Sequence, residues 1–297
     1  MISGLNQFLG LNANAAPKIY PRQIDLSGNI FSFSMPENFS KNMPAENMVE
    51  ALDIGDLKKF DNPEYGNLIR RWWDIKKPGF FGKELGTVMM DISVQRVPDN
   101  HRKLVHDNPY DITDRLDFLL LINDKLHQRY DELYENQRKI DQYSNDYSID
   151  FCYLIGSKLK SHYRDYQFNN QKWIGYTITA PDAQLIVGLV TPITKNNFIE
   201  LVFTFSPNTN VVPNEFLREA NKTTQLIENS LKIDFFKNNT IQTLIEEEWL
   251  SATNNEVLAA HKDRILVPLF GPDIYQRLEQ EKKDALKLQK ELESPLE

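Results

Sequence analysis

The chain has little cysteine, no excess of positive charge and no long hydrophobic run. Its 297 residues include one cysteine, Cys152, which excludes an intramolecular disulfide and any metal or iron–sulfur site built from several cysteines. A membrane-spanning helix needs about 20 consecutive apolar residues, and no stretch of this sequence approaches that length. We therefore predict a protein without an integral membrane span.

Basic residues are outnumbered by acidic ones. The chain has 34 Lys and Arg against 42 Asp and Glu, a formal net charge of -8 and a pI near 5.3. Binding to phosphate backbones needs a basic face, so nucleic acid is not expected as a partner. Hydrophobic residues make up 41% and charged residues 26%, which is typical of a globular protein with a proper core.

The N-terminus lacks the basic segment of a secretory signal. Ala13-Asn14-Ala15 nevertheless resembles the small residues of a signal cleavage site. One interpretation is a frayed tail over residues 1–27, and the other is the remnant of a longer signal whose beginning is missing. The second interpretation would place the protein in the periplasm, and the first in the cytoplasm.

Two stretches alternate between apolar and polar residues, as half-buried strands do. The first contains Phe31, Phe33 and Met35, and Pro36 follows it. The second is TVMMDISV, starting at Thr87. We expect one sheet face to bury these apolar side chains against a helix carrying Leu116, Leu119 and Leu126, since striped elements are stable only when their apolar sides meet. The set expected on that face is Val88, Met90, Ile92, Val94, Leu201, Phe203 and Phe205.

The helix is predicted to begin near Asp111 or Thr113, either of which can cap its first turn. From about Ile149 to Phe205, short runs rich in β-branched and aromatic residues predict an antiparallel meander with LIVGLV as a central strand. A second helix is predicted over residues 214–229, and SLKID is a candidate strand after it.

The sequence divides into three parts on these grounds: a tail over 1–27, an α+β domain with a helical insertion over 28–235, and a C-terminal helical extension over 236–297. The fold class is α+β, with an antiparallel β-sheet covered by helices. In the extension, a thin apolar stripe runs along a charged helix, which is a pattern that packs on the domain or on a partner.

Catalytic motifs are missing. The chain has no G-x-S-x-G nucleophile elbow and no H-E-x-x-H zinc helix. Its five histidines are scattered, and each is expected to be a solvated side chain rather than a metal ligand. We therefore predict that the protein is not an enzyme, that it has no catalytic or metal-binding residues, and that it binds no cofactor.

Two aromatic pairs are candidate contacts for a protein partner. Arg70 precedes Trp72 and Trp73 in RRWW, and Phe80 and Phe81 lie in a glycine-flanked loop. Arg, Trp and Phe are common anchors of protein interfaces. The alternative is that one Trp and one Phe of each pair point into the core, because large apolar groups are usually buried.

The order of these elements resembles the Mog1/PsbP-like fold, as found in the DcrB and DUF1795 families. The likeness covers residues 28–235 and rests on an F-x-F-x-x-P opening strand, a tryptophan strand, an L-x-F-T strand and a closing I-x-x-S-L-x-I helix. The residues that match are Phe31, Phe33, Pro36, Trp173, Leu201, Phe203, Thr204, Ile227, Ser230, Leu231 and Ile233.

Bacterial members of this fold occur around type VI secretion. Some are similar to immunity proteins that neutralise lipase effectors, and others to Eag-type chaperones that load effectors. The resemblance therefore implies a non-catalytic immunity protein that neutralises a cognate toxin by steric binding, or alternatively an effector chaperone or adaptor. The implied partner is a protein toxin or effector.

Overall fold

We describe the protein from a computed structural model. The structure describes the following residues: 18–41, 43, 48–60, 65–78, 82–97, 110–115, 117–119, 121–122, 125–126, 164–179, 185–209, 211–236 and 241. Within these residues the protein is a sheet-rich α+β structure, and its strand pairs are almost all antiparallel. No helix among the described residues has the length and apolar content needed to span a bilayer.

The smaller sheet contains four strands in the order β10-β2-β1-β3. Their bounds are β1 Ile19–Leu26, β2 Asn29–Pro36, β3 Ala51–Leu52 and β10 Lys232–Asp234. Strand β1 pairs with β3 in parallel and with β2 in an antiparallel hairpin. Ser27 and Gly28 form the hairpin turn with positive φ angles of 54° and 89°, as a two-residue turn of this type requires.

The larger sheet contains six strands in the order β4-β5-β9-β8-β7-β6, all antiparallel. The bounds are β4 Tyr65–Lys76, β5 Glu84–Arg96, β6 Arg164–Phe168, β7 Gln171–Thr179, β8 Leu185–Pro192 and β9 Asn197–Pro207. Asn169 and Asn170 turn the chain between β6 and β7, again with positive φ.

Helix α1 spans Pro213–Glu228, close to its predicted range, and a short 3-10 helix spans Leu57–Lys59. Pro213 stands in the first turn of α1, where its missing N–H costs nothing and its fixed φ suits a helix. A further helical segment, called here the 115–126 segment, contains helical residues between 115 and 126. Thr113 donates from its backbone N–H to the Asp111 carboxylate at 2.9 Å ahead of this segment.

The main core lies between the two sheets and α1. All seven side chains expected on one sheet face are buried in this single cluster, so the predicted alternation of β5 and β9 is confirmed. Phe31 and Phe33 reach the cluster from the smaller sheet, and Phe216 and Ala220 reach it from α1.

The prediction that the helix carrying Leu116, Leu119 and Leu126 covers that face was wrong. Leu119 and Leu126 of the 115–126 segment belong to a second cluster with Ile174 and Tyr176, on the opposite face of the larger sheet. Strands β7 to β9 carry apolar side chains on both faces, so the alternation of β5 alone does not say which face a helix covers. Leu116 lies outside the described residues.

An ion pair attaches the 115–126 segment to the edge of the larger sheet. The buried Arg115 guanidinium donates to the Asp165 carboxylate of β6 at 2.8 and 3.2 Å. The Asn169 amide donates to the Leu231 carbonyl at 2.8 Å, which ties the β6–β7 turn to the chain just after α1.

The observed strand and helix bounds can be compared with the predicted division of the chain. Two sheets replace the single sheet that was expected. Residues 19–26, assigned to the tail on sequence grounds, form β1, and the strand Tyr65–Lys76 was not predicted. LIVGLV is central as expected. The run at 149–156, which contains Cys152, lies outside the described residues, and so does the C-terminal extension apart from Phe236 and Ile241.

Candidate functional site

A polar cleft of about 320 Å³ opens on the outer face of the larger sheet, which is the face turned away from the main core. Three adjacent strands provide its lining. They contribute Tyr65, Asn67 and Arg70 from β4, Met89, Asp91, Ser93 and Gln95 from β5, and Glu200, Val202 and Thr204 from β9. Directly paired residues lie on the same face of a sheet, and the pairs Arg70–Asp91 and Ser93–Glu200 explain why these side chains meet.

Glu200 lines this cleft and is only 5% exposed. The Tyr176 hydroxyl donates to its Oε1 at 2.7 Å, and the Gln95 amide donates to its Oε2 at 3.0 Å. The Lys125 ammonium of the 115–126 segment donates to the side-chain amide oxygen of Gln95 at 3.4 Å. Buried charges are costly unless they are hydrogen-bonded, and these donors hold the carboxylate in a fixed position.

Tyr176 reaches Glu200 because Gly188 lies between them. Tyr176 is on β7, Gly188 is its direct partner on β8, and Glu200 is on β9. A Cβ on Gly188 would lie 2.0 Å from the Tyr176 ring, which no side chain tolerates. Glycine at this position therefore lets the tyrosine ring cross the strand and hydrogen-bond to the carboxylate.

A second charged group lies beside Glu200 in the cleft. The Arg70 guanidinium binds the Asp91 carboxylate through Nε at 2.6 Å and through its terminal nitrogen at 2.5 Å. Both side chains remain partly accessible, with exposed fractions of 37% for Arg70 and 19% for Asp91. Asp91 and Glu200 are diagonal neighbours in the register, so their Cα atoms are about 7–8 Å apart.

The structure separates the partner-binding residues predicted from RRWW. Arg70 lines the cleft, and Trp72 is half-buried on the same face, opposite Met89. Trp73 points the other way: it is 1% exposed, lies in the main core and donates its indole N–H to the Pro36 carbonyl at 3.2 Å. One tryptophan of the pair is thus a core residue. Phe80 and Phe81 lie outside the described residues.

Among the residues that the structure describes, no group of three or more His, Cys, Asp or Glu side chains is arranged to hold a metal ion. All five histidines and Cys152 lie outside that part of the chain. The cleft offers carboxylate, amide, hydroxyl and guanidinium groups, which are suited to binding polar or charged side chains by hydrogen bonds and ion pairs.

Sequence reasoning did not find Glu200, Asp91, Tyr176 or Gln95. One signal was present: Glu200 is an isolated carboxylate inside the apolar strand FIELVFTF, and acidic residues are rarely buried unless they are paired. The contact with Tyr176 spans three strands, so no local pattern predicts it. The cleft itself depends on the pairing of β4 with β5, and β4 was not recognised as a strand.

No family model matches the chain, and neither do curated proteins or solved structures.

Proposed function

We propose that this chain is a non-catalytic binding protein that uses the outer face of its larger sheet to bind a protein partner. The leading form of the proposal is an immunity protein that neutralises a cognate type VI secretion toxin, such as a lipase effector, by covering it. The observation that carries the proposal is the row of Arg70, Asp91 and Trp72 beside the cleft, on one face of adjacent strands.

The geometry of this row supports a docking surface. Arg and Trp dominate the energetics of protein interfaces, especially where they lie at the centre of a patch. Arg70 is held in place by Asp91, so it loses little conformational freedom when a partner binds. Tyr65, which is 40% exposed, adds a second aromatic side chain at the end of the same strand.

The net charge of the chain supports a basic protein as the partner. A chain with a formal charge of -8 attracts a basic protein and repels an acidic one, which speeds association. A toxin with a basic surface around its active site would be captured quickly and covered by this face. Inhibition would then be steric and would require no chemistry from the binding protein.

The Mog1/PsbP-like fold remains part of the proposal. The element order supports it: an opening strand with Phe31 and Phe33, the Trp173 strand, the Leu201–Thr204 strand, and a helix followed by a short strand at Ile233. The covering of the sheet by helices belongs to the same proposal, and the packing of α1 and of the 115–126 segment on opposite faces supports it.

The test uses the product of the neighbouring gene as the partner. The full chain is produced together with that protein, and protection from its toxicity is measured beside direct binding. Trp72→Ala and Arg70→Ala should each weaken binding about 30-fold, since truncating an anchor costs about 2 kcal/mol. Phe236→Ala is the control, because Phe236 is exposed but lies next to the smaller sheet.

The outcomes separate the alternatives. Protection that is lost in the two cleft variants at an unchanged melting temperature supports the immunity protein. Binding that leaves toxicity intact and promotes secretion of the partner indicates the effector chaperone or adaptor instead. Full protection by both cleft variants would reject this face as the binding surface.

A further inference from the structure

An apolar strip crosses the outer face of the larger sheet beside the cleft. It consists of Trp72 on β4, Met89 on β5 and Val202 on β9, and we call it the Trp72 strip. Trp72 and Met89 are directly paired, and Met89 and Val202 are diagonal neighbours in the register, so the three side chains are adjacent on one face. All three are half-buried. The strip is therefore partly accessible to solvent.

The chain reaches the same face after the last strand of the smaller sheet. Phe235, which follows β10, packs against both core clusters, and Ile241 is 2% exposed within the second cluster. Val202 of the Trp72 strip also packs against that second cluster. The part of the C-terminal extension that follows Ile241 therefore starts from the face that carries the strip.

The extension has the length and the sequence pattern to cover the strip. Residues 242–273 separate Ile241 from Ile274, and they would span about 48 Å even as one continuous helix. The larger sheet is only about 24 Å wide from β6 to β4 at the usual strand spacing. From Ile274 onward, apolar residues recur with helical spacing between charged residues of both signs. This apolar stripe consists of Ile274, Leu278, Ala285, Leu288 and Leu292.

We infer that the apolar stripe at 274–292 docks on the Trp72 strip of the same chain and is displaced when the protein partner binds. Contact between the stripe and the strip removes apolar area from water on both sides. A segment of the same chain is favoured over a second molecule, because the linker keeps it at a high effective concentration. The second half of the inference rests on the proposed function, since it regulates the surface assigned to the partner.

The first experiment follows the indole N–H signals of the full chain by NMR. The Trp72 signal is assigned with Trp72→Phe. The signals of Trp73 and Trp173 are internal references, because both rings are 1% exposed in the main core. We expect substitutions in the stripe to shift the Trp72 signal and to leave the two references in place.

Two matched pairs of substitutions locate the contact. Ile274→Asp with Leu278→Asp places charges in the stripe and should shift the Trp72 signal. Gln276→Asp with Gln280→Asp introduces the same charges at the same spacing on the opposite side of a helix, and it should not. An unchanged Trp72 signal in the stripe variant would overturn the inference. A wild-type Trp72 signal that changes on tenfold dilution would assign the contact to a second copy and would overturn it as well.

The second experiment approaches the contact from the strip. Trypsin is added to the full chain, and cleavage after Lys282 is followed by mass spectrometry. Trp72→Ala should speed this cleavage about fivefold, because proteolysis follows the fraction of molecules in which the segment is undocked. Val212→Ala is the control, since Val212 is 63% exposed and precedes α1 on the other side of the sheet. If the stripe variant does not fold, equal cleavage of wild type and Trp72→Ala would overturn the inference.

The inference and the proposed function fail in different ways. The stripe variant should bind the neighbouring gene's product about threefold more tightly or better, since the partner no longer displaces the extension. A shifted Trp72 signal in a chain that does not bind that product would reject the proposed function and leave the docked extension standing. An unchanged signal in a chain whose protection is lost with Trp72→Ala would reject the docked extension and leave the immunity function standing.

Discussion

Two glutamates, Glu200 and Glu228, show how the groups around a carboxyl side chain differ when it is removed from solvent. Glu200 is buried, and each of its carboxylate oxygens accepts a hydrogen bond, one from Tyr176 and one from Gln95. Glu228 is half-buried at the last position of α1, where a negative charge also meets the negative end of the helix dipole. Burial raises the pKa of the Glu228 carboxyl above its ordinary value of 4.5.

Glu228 therefore makes stability depend on pH. Because its folded-state pKa is raised, the folded protein binds the proton more tightly than the unfolded chain does. The free energy of unfolding then falls as the pH rises from the ordinary value through the folded-state value. We expect Glu228→Gln to raise the melting temperature at pH 7 and to have no such effect at about pH 3, well below the unfolded value.

Glu215 is the control, because its substitution should change the stability at pH 7 in the opposite direction. The hydrogen bond and charge of Lys77, at 2.9 Å, lower the pKa of the Glu215 carboxyl, so Glu215→Gln should remove a small stabilisation at pH 7 that is already lost in acid. A Glu228→Gln variant that is less stable than wild type at pH 7 would show that its carboxylate has a stabilising partner.

At the scale of elements, regular alternation made strands predictable and irregularity concealed them. Strands β2, β5 and β9 alternate cleanly and were predicted. Strand β4 has a register shift between Asn67 and Ile69, and Leu68 and Ile69 are both buried as a result. A bulge of this kind breaks the period of two, so the sequence YGNLIRRWWDIK does not look like a strand.

The packing of β9 supports a test of the main core. Phe203 is fully buried, and its ring centroid lies 6.5 Å from that of Phe205. We expect Phe203→Ala to lower the free energy of unfolding by about 3–5 kcal/mol, because the loss of the ring leaves a cavity between the sheets. Urea unfolding followed by fluorescence measures this change.

Phe236→Ala serves as the matched control for Phe203. Phe236 is 57% exposed and rests on Gly28 at the surface, so its removal should cost far less than that of a core ring. A cost below about 1 kcal/mol for Phe203→Ala would contradict the assignment of this ring to the core.

At the scale of the whole molecule, two sheets share one core and the larger sheet has a second core on its other face. The cleft lies on that same outer face, where side chains of β4, β5 and β9 line it. The 115–126 segment borders the cleft on this face, since the Phe118 ring lies 5.2 Å from that of Phe198 on β9 and Lys125 donates to the side-chain carbonyl of Gln95 on β5.

A binding protein of this kind should show no turnover. The sequence has neither a nucleophile elbow nor a zinc-binding helix. Purified protein assayed on ester, peptide and nucleotide substrates should give rates equal to buffer alone. Robust turnover that a single substitution at Glu200 or Asp91 abolishes would reverse the binding proposal and make the cleft an active site.

The sequence by itself determined the secondary structure wherever the pattern was periodic: β2, β5, the meander from β6 to β9, α1 and the strand after it. It also determined the net negative charge of the chain. Local periodicity specifies which side chains of one element share a face. The likeness to a known fold and the immunity function inferred from it stay predictions.

Only the tertiary structure decided which faces meet. It divided the strands into two sheets, placed the 115–126 segment opposite the main core, and directed Trp73 inward while leaving Trp72 beside the cleft. It also brought Tyr176 across Gly188 to Glu200. These outcomes depend on pairing between residues far apart in the chain, and the energy of such contacts is not encoded in the pattern of any one segment.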